Sequence, residues 1–310
     1  MTLNVLFSAA PERWEFYRGA LEDALRRAGL DAVLGREIDP AKVDYIVYAP
    51  NGPVSDFTPF TRAKAVLSLW AGVESIVTNP TLTLPLTRMV DSGLSEGMVE
   101  WVTGHVLRHH LGMDRHILRQ DGVWNPVIPP LARHRSVGIL GLGELGGACA
   151  QALAALNFRV SGWSRSAKQI DGIACLHGDT GLRDILAGSG ILVLLLPLTS
   201  ATENLMNRER FALMPEGAFL LNPGRGALIE DAALLEALDA GHLAHATLDV
   251  FRTEPLPPNH PFWAHPGVTV TPHIASETRA ETASEVIAEN IRRSEAAEPL
   301  LFLVDREAGY

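Results

Sequence analysis

The sequence predicts an α/β protein made of two parallel-sheet domains, one inserted into the other. Three observations predict it. Short apolar, β-rich runs alternate with helical patterns, the arrangement that parallel strands and covering helices require. The alternation pauses in a Pro-rich stretch, Asn125-Pro126-Val127-Ile128-Pro129-Pro130, and restarts at Ser136. The length, 310 residues, exceeds one compact core and fits about two domains of ordinary size.

Taken in order, Leu3 to Phe7 reads as a strand and Glu12 to Gly29 as an amphipathic helix that stops at a glycine. Tyr45 to Ala49 and Ala65 to Leu69 read as strands, with Ile76 to Thr78 as a fourth. Glu100 to Gln120 reads as one long helix that carries the chain into its second unit. There Val137 to Leu140 is a strand, Leu145 to Leu156 a helix and Arg159 to Trp163 a strand. Further buried strands are expected at Ile191 to Leu196, Ala218 to Asn222, His245 to Val250 and Val268 to Thr271. The last helix, Ala280 to Ala297, is expected to return to the first domain. The first domain is therefore expected to be discontinuous, residues 1–99 and 276–310, around an insert of residues 100–275.

Composition narrows the function classes. Hydrophobic residues make up 47% and charged residues 20%, as in folded globular chains. The formal net charge of −10 disfavours nucleic acid as a partner. Any anionic ligand must be held locally, by cationic side chains and backbone amides. Two cysteines, Cys149 and Cys175, make no CxxC pair and are too few for a disulfide framework, so a reduced, cytoplasmic protein is expected. The opening Met1 to Phe7 lacks a basic stretch followed by a long apolar run, so no signal peptide is expected. The longest apolar run, Ile191 to Leu198, is too short to span a bilayer, so no membrane partner is expected.

Gly141-Leu142-Gly143-Glu144-Leu145-Gly146 is the sharpest local signal. A lone GxGxxG is weak, but this one follows a strand and opens a helix. Gly141 suits a tight turn, Gly143 lets the backbone approach a pyrophosphate, and Gly146 lets helix and strand pack closely. The helix opening at Glu144 and Leu145 offers unpaired amides to the anion. The insert is thus expected to be a Rossmann-like dinucleotide-binding domain, and the first sheet a second Rossmann-like one. NAD sites place an acidic residue at the end of the next strand to bond the ribose 2′-hydroxyl. Here that strand ends Gly162-Trp163-Ser164-Arg165-Ser166, with Lys168 nearby and no adjacent acid. Ser164, Ser166 and Arg165 suit a 2′-phosphate. NADP is the expected cofactor, with NAD as the weaker alternative; the other reading of Arg165 is a solvated loop arginine.

Reducing a 2-keto acid needs a cation for the carboxylate, a proton donor for the carbonyl oxygen, and a group that tunes the donor. Three segments after buried strands supply candidates in order: Asn222-Pro223-Gly224-Arg225-Gly226, Asp249-Val250-Phe251-Arg252-Thr253-Glu254-Pro255-Leu256, and Thr271-Pro272-His273-Ile274-Ala275-Ser276. Each lies where open α/β sheets bind ligands. A lone Arg, Glu or His on a loop is usually only surface; three at successive strand ends is a stronger pattern.

With these segments, the sequence resembles the D-isomer-specific 2-hydroxyacid dehydrogenases, most closely their glyoxylate/hydroxypyruvate reductase A subgroup. The resemblance covers essentially the whole chain and extends to the closing Val304-Asp305-Arg306-Glu307-Ala308-Gly309-Tyr310. It implies roles. Arg225 would bind the substrate carboxylate and polarise the carbonyl. His273 would be the general acid in reduction and the base in reverse. Glu254 would hydrogen-bond His273 and favour its charged form. Trp70, Ala71 and Gly72 would form a backbone cradle for the carboxylate. Pro197, Leu198 and Gly224 would flank the cofactor, and Asp249 would face the nicotinamide carboxamide. It also implies a homodimer with the Glu100 to Gln120 helix at the interface. Two departures bear on the substrate pocket: Ala49 stands where a tryptophan is expected, and Trp70 where a glycine is usual.

Of eleven histidines, His105 and His109 have a one-turn spacing that could hold a metal. No third ligand is evident, and the favoured reading is a solvated or subunit-facing helix surface with no metal. The function expected is NADPH-dependent reduction of glyoxylate or hydroxypyruvate. The alternatives are a reductase of a bulkier 2-keto acid and a non-catalytic NADP(H) sensor of the same fold. Formate dehydrogenases of the superfamily are disfavoured by Glu254, and a phosphite-oxidising relative by Arg165.

Overall fold

The computed structural model describes residues 2–118 and 120–309. Arg119, inside the long-helix reading, and Tyr310, inside the quoted tail, lie outside the described residues. The chain forms two compact units; one runs to Leu94 and resumes at Glu277, and the other is Ser95–Ser276.

The first unit begins β1 (Leu3–Ser8), α1 (Pro11–Arg27), β2 (Ala32–Gly35), β3 (Tyr45–Tyr48), β4 (Ala65–Ser68), β5 (Leu86–Thr87). Its five-stranded sheet has the order β2-β1-β3-β4-β5, parallel throughout. Both β3 and β4 are buried at every position, as expected of a sheet covered on two faces. Ile76 to Thr78 is a turn rather than a strand: Val77 donates back to the Val73 carbonyl, and the edge position is taken by β5. The strand β2 is an addition to the expected set; its run, Ala32-Val33-Leu34-Gly35, is apolar but only four residues long and ends in a glycine, too short to stand out as a strand.

The chain leaves through α2 (Ser92–Leu111), within which the boundary between units falls. The expected single helix is therefore displaced. It starts eight residues earlier, because the Asp91 carboxylate accepts from the Leu94 amide and caps the first turn. It ends at Gly112, whose φ of 62° leaves the helical region. A short α3 (Met113–Ile117) follows. Gly97, inside α2, lies against Ser276, so a residue unfavourable to helix is kept for close packing.

The second unit continues β6 (Ser136–Leu140), α4 (Glu144–Ala155), β7 (Arg159–Ser164), β8 (Ala174–His177), α5 (Gly178–Gly188), β9 (Ile191–Leu194), α6 (Arg208–Phe211), β10 (Ala218–Asn222), α7 (Asp231–Asp239), β11 (Leu243–Leu248), β12 (Val268–Val270). Its seven strands lie in the order β12-β11-β10-β9-β6-β7-β8, all parallel. The chain winds outward from β6 through β7 to β8, then crosses back to β9 on the other side of β6. The loops after β6 and β9 therefore flank the point where the winding reverses, the place where such sheets bind ligands. One core cluster, with Leu192, Leu194, Phe211, Leu220 and Leu234, packs on one set of helices; another, with Val106, Ile139, Leu153 and Val193, packs on α2 and α4. Finally α8 (Ala280–Glu295) returns to the first unit. It packs beside α1, and its Ala283, Ile287 and Ile291 share a core with Leu21 and Leu25.

Candidate active site

The site is built on the carboxyl-end rim of the second unit's sheet. Because β6, β9, β10, β11 and β12 are parallel neighbours, the loops after all five leave from one edge.

After β6, Gly141 has φ 106°, and a Cβ there would run into the Leu195 backbone of the loop after β9. A Cβ on buried Gly146 would overlap the Gly141 carbonyl oxygen, so only glycine lets α4 sit this close to β6. Gly143 differs: it is exposed, and a Cβ would meet nothing within 4 Å. It is the N-cap of α4, and no side chain caps the helix. Glu144 and Leu145 open the first turn, Glu144 exposed and Leu145 half-buried. The loop thus leaves open space over uncapped amides at a helix N-terminus, a fit for a phosphate group.

After β7, the Ser164 hydroxyl is buried and donates to the Ser166 carbonyl at 2.8 Å. Arg165 and Ser166 are exposed. The Lys168 ammonium donates to the Leu142 carbonyl at 2.6 Å, tying this loop to the glycine loop. After β9, Pro197 and Leu198 are half-buried, and the Thr202 hydroxyl donates to the Pro197 carbonyl at 2.7 Å.

After β10, the buried Asn222 side chain bends the chain. Its Nδ2 donates to the Arg225 carbonyl at 2.9 Å and its Oδ1 accepts from the Gly224 amide at 3.2 Å. Gly224 is buried against the Leu194 carbonyl, so this turn is closely packed. Arg225 is half-buried, with Nη1 on the Gly224 carbonyl at 2.7 Å.

After β11 comes Glu254 and after β12 His273. His273 Nδ1 and Glu254 Oε2 are 2.6 Å apart. The other Glu254 oxygen accepts from the Phe251 amide at 2.9 Å, so the carboxylate is itself anchored. With Nδ1 engaged, Nε2 is the ring nitrogen left to face a substrate. The His273 side chain is 52% exposed, enough to meet one. Asp249 is fully buried. Its carboxylate accepts from the Thr271 hydroxyl and from the Ile274 and Ala275 amides. Sequence reasoning assigns Asn222 and Thr271 no individual role; a polar residue closing a buried apolar strand is the signal that could have found them.

Trp70, Ala71 and Gly72 follow β4 in the first unit. Trp70 is exposed; its amide donates to the Ser68 hydroxyl, which donates to the Trp70 carbonyl, both at 3.0 Å. Ala71 and Gly72 are half-buried. Ala49 is buried in a core cluster with Phe7, Tyr17 and Leu69.

The histidine reading of α2 needs correction. His109 is not solvated: it is buried, bonds the Thr247 hydroxyl at 2.9 Å and stacks on Phe219 at 4.7 Å. His245, 5.3 Å away, bonds the Thr269 hydroxyl at 2.8 Å. Burial, first, and neighbouring positive charge push His109 down to about 3 and His245 to about 4. The buried positions of α2 recur along one stripe, Leu94, Met98, Val102, Val106 and His109, so the histidine continues the helix's inward face.

Comparison with known proteins bears on this arrangement. A family model described as D-isomer specific 2-hydroxyacid dehydrogenase, NAD binding domain, matches residues 103–275. Glyoxylate/hydroxypyruvate reductase A of Serratia proteamaculans is 43% identical over 257 residues, 80% of this chain and 82% of that protein. The protein of the same name from Yersinia enterocolitica is 39% identical over 89% of this chain and 90% of its own length. Among solved structures, a D-isomer specific 2-hydroxyacid dehydrogenase from Xanthobacter autotrophicus, in complex with NADPH and MES, is similar at TM-score 0.94 and 42% identity, covering 100% of both chains. An NADPH-dependent glyoxylate/hydroxypyruvate reductase from Sinorhizobium meliloti, in complex with NADP and sulfate, is similar at TM-score 0.85 and 35% identity, covering 100% of this chain and 99% of that one.

Proposed function

The chain belongs to the D-isomer-specific 2-hydroxyacid dehydrogenase family, and on that premise we propose that it is an NADPH-dependent reductase of small 2-keto acids, glyoxylate and hydroxypyruvate first. The observation that carries the proposal is the His273–Glu254 pair at 2.6 Å, on the same rim as Arg225 and the glycine loop.

The residues present fit a dinucleotide. Gly141, Gly143 and Gly146, with Glu144 and Leu145 opening α4, would hold the pyrophosphate. Arg165 and Ser166, both exposed, would hold the 2′-phosphate, with Ser164 shaping their turn through its bond to the Ser166 carbonyl; the relatives solved with NADPH or NADP also favour that cofactor. Lys168, bonded to Leu142, would support that loop, and Pro197, Leu198 and Gly224 would line the nicotinamide end. The bound cofactor supplies the hydride. Arg225 binds the substrate carboxylate and fixes the keto carbon's face. His273, held through Nδ1 by Glu254, keeps a proton on Nε2 and gives it to the carbonyl oxygen as negative charge develops there. Trp70, Ala71 and Gly72 are assigned to the substrate carboxylate.

A homodimer is proposed as well. Leu118, Val123, Trp124, Ile128 and Leu131 are each more than half exposed, an apolar stretch that a second copy would cover. A cytoplasmic location rests on the two free cysteines. Among the described residues, no helix is long and apolar enough to cross a membrane.

The test is His273→Ala. Loss of the proton donor lowers kcat by about 10²–10⁴-fold and leaves NADPH affinity unchanged. Parallel loss of NADPH binding would mean that His273 serves the cofactor site instead.

A further inference from the structure

We propose that Asp249 is a positioning residue: its buried carboxylate fixes the Thr271–Ala275 loop and thereby the placement of the His273 ring. The proposal rests on His273 being the proton donor.

Asp249 sits just past β11, with no exposed surface. A buried carboxylate must be compensated by donors, and here three donors come from one short loop. Oδ1 accepts from the Thr271 hydroxyl at 2.6 Å and the Ile274 amide at 2.9 Å; Oδ2 accepts from the Ala275 amide at 2.8 Å. The main chain adds to the grip. The His273 amide donates to the Asp249 carbonyl at 2.8 Å and to the Thr271 carbonyl at 3.0 Å, while the Asp249 amide donates to the Asn222 carbonyl at 3.0 Å.

His273 itself has φ 54°. A residue with a Cβ holds that left-handed conformation only where its surroundings over-determine it. The bonds to Asp249 lie on both sides of His273 and supply that constraint. Released, residue 273 relaxes toward negative φ, and the Cβ and ring swing away. Two carboxylates thus divide the work. Glu254 holds the ring through Nδ1, and Asp249 holds the backbone that carries it. Both depend on the end of β11, because the Phe251 amide that anchors Glu254 lies two residues beyond Asp249.

The experiment compares wild type, D249N, T271V and T271S, with H273A as control. It measures NADPH affinity, kcat and KM with hydroxypyruvate, and amide hydrogen exchange of the 271–276 segment in the unliganded protein. D249N puts an NH2 against a loop donor; T271V removes one bond; T271S keeps it. A displacement near 1 Å costs about 100-fold, so kcat is expected to fall about 100-fold in D249N and about 10-fold in T271V, while NADPH affinity stays within about threefold. Exchange at Ile274 and Ala275 accelerates in both, and T271S matches wild type. D249N with weakened NADPH binding and preserved kcat would overturn the proposal, since Asp249 would then serve the nicotinamide. Unchanged exchange and kcat in T271V would also overturn it, even if D249N does not fold. An active H273A would instead remove the proton-donor reading, and faster exchange in D249N would still show that Asp249 holds the loop.

Discussion

Replacing Gly143 by alanine should leave the fold intact and damage cofactor binding. Gly143 has φ −74° and ψ −165°, which alanine adopts freely. An added Cβ meets nothing within 4 Å. Alanine is a poorer N-cap than glycine by roughly 0.5–1 kcal/mol, and it restricts the unfolded chain by a compensating 0.4–1 kcal/mol or so. The net change is near zero, and the melting temperature should stay within about 2–4 °C. The methyl group, however, fills the space before the first amides of α4. Displacing a phosphate there by about 1 Å gives up a charge-assisted hydrogen bond, roughly 1.5–3 kcal/mol, so the NADPH Kd should rise about 10- to 150-fold. Gly146→Ala is the contrast: its Cβ would strike the Gly141 carbonyl, α4 must shift, and stability should fall by about 1–3 kcal/mol. Thermal unfolding and fluorescence titration with NADPH read both. Wild-type affinity in Gly143→Ala would refute the loop's assignment to the pyrophosphate.

Arg165→Ala should weaken NADPH by about 10- to 100-fold, the loss of one charge-assisted phosphate contact, and leave NADH nearly unchanged; equal losses for both would remove the 2′-phosphate assignment. Acid should destabilise the second unit through His109. Its folded pKa, about 3, lies below the unfolded value of about 6.5. The unfolded chain therefore takes up the proton first, and stability falls as pH drops below about 6.5 and levels off only below about 3. At pH 5 the cost is about 2 kcal/mol. His109→Gln keeps a polar group for Thr247 and does not titrate, so its loss of melting temperature between pH 7 and pH 5 should be smaller than that of wild type; equal losses would mean that His109 does not remain neutral in the fold.

What the sequence made legible follows from where the signal is local. The glycine loop, the buried strands from Ile191 to Val270 and the three segments proposed to carry Arg225, Glu254 and His273 each announce themselves within a few residues. Hydrophobic runs cannot say how a strand edge closes, so Ile76 to Thr78 passed for a strand although Leu86–Thr87 holds the sheet's edge. The limits of α2 depended on Asp91 capping and on Gly112 leaving the helical region, while Gly93 and Gly97, in its first two turns, masked the true start. The burial of His109 was not readable, because Thr247 and Phe219, its partners, lie more than a hundred residues away. The grip of Asp249 on the His273 loop was hidden for the same reason. It joins residues 22 to 26 apart, which meet only because β11 and β12 pair side by side.

The most direct test is a comparison of kcat/KM at neutral pH for glyoxylate, hydroxypyruvate, pyruvate and a bulkier 2-keto acid, each with NADPH and with NADH. Fast turnover of glyoxylate and hydroxypyruvate, with NADPH well ahead of NADH, is the predicted result. Tight NADPH binding without turnover of any 2-keto acid would contradict it and leave a nucleotide-binding protein without this chemistry.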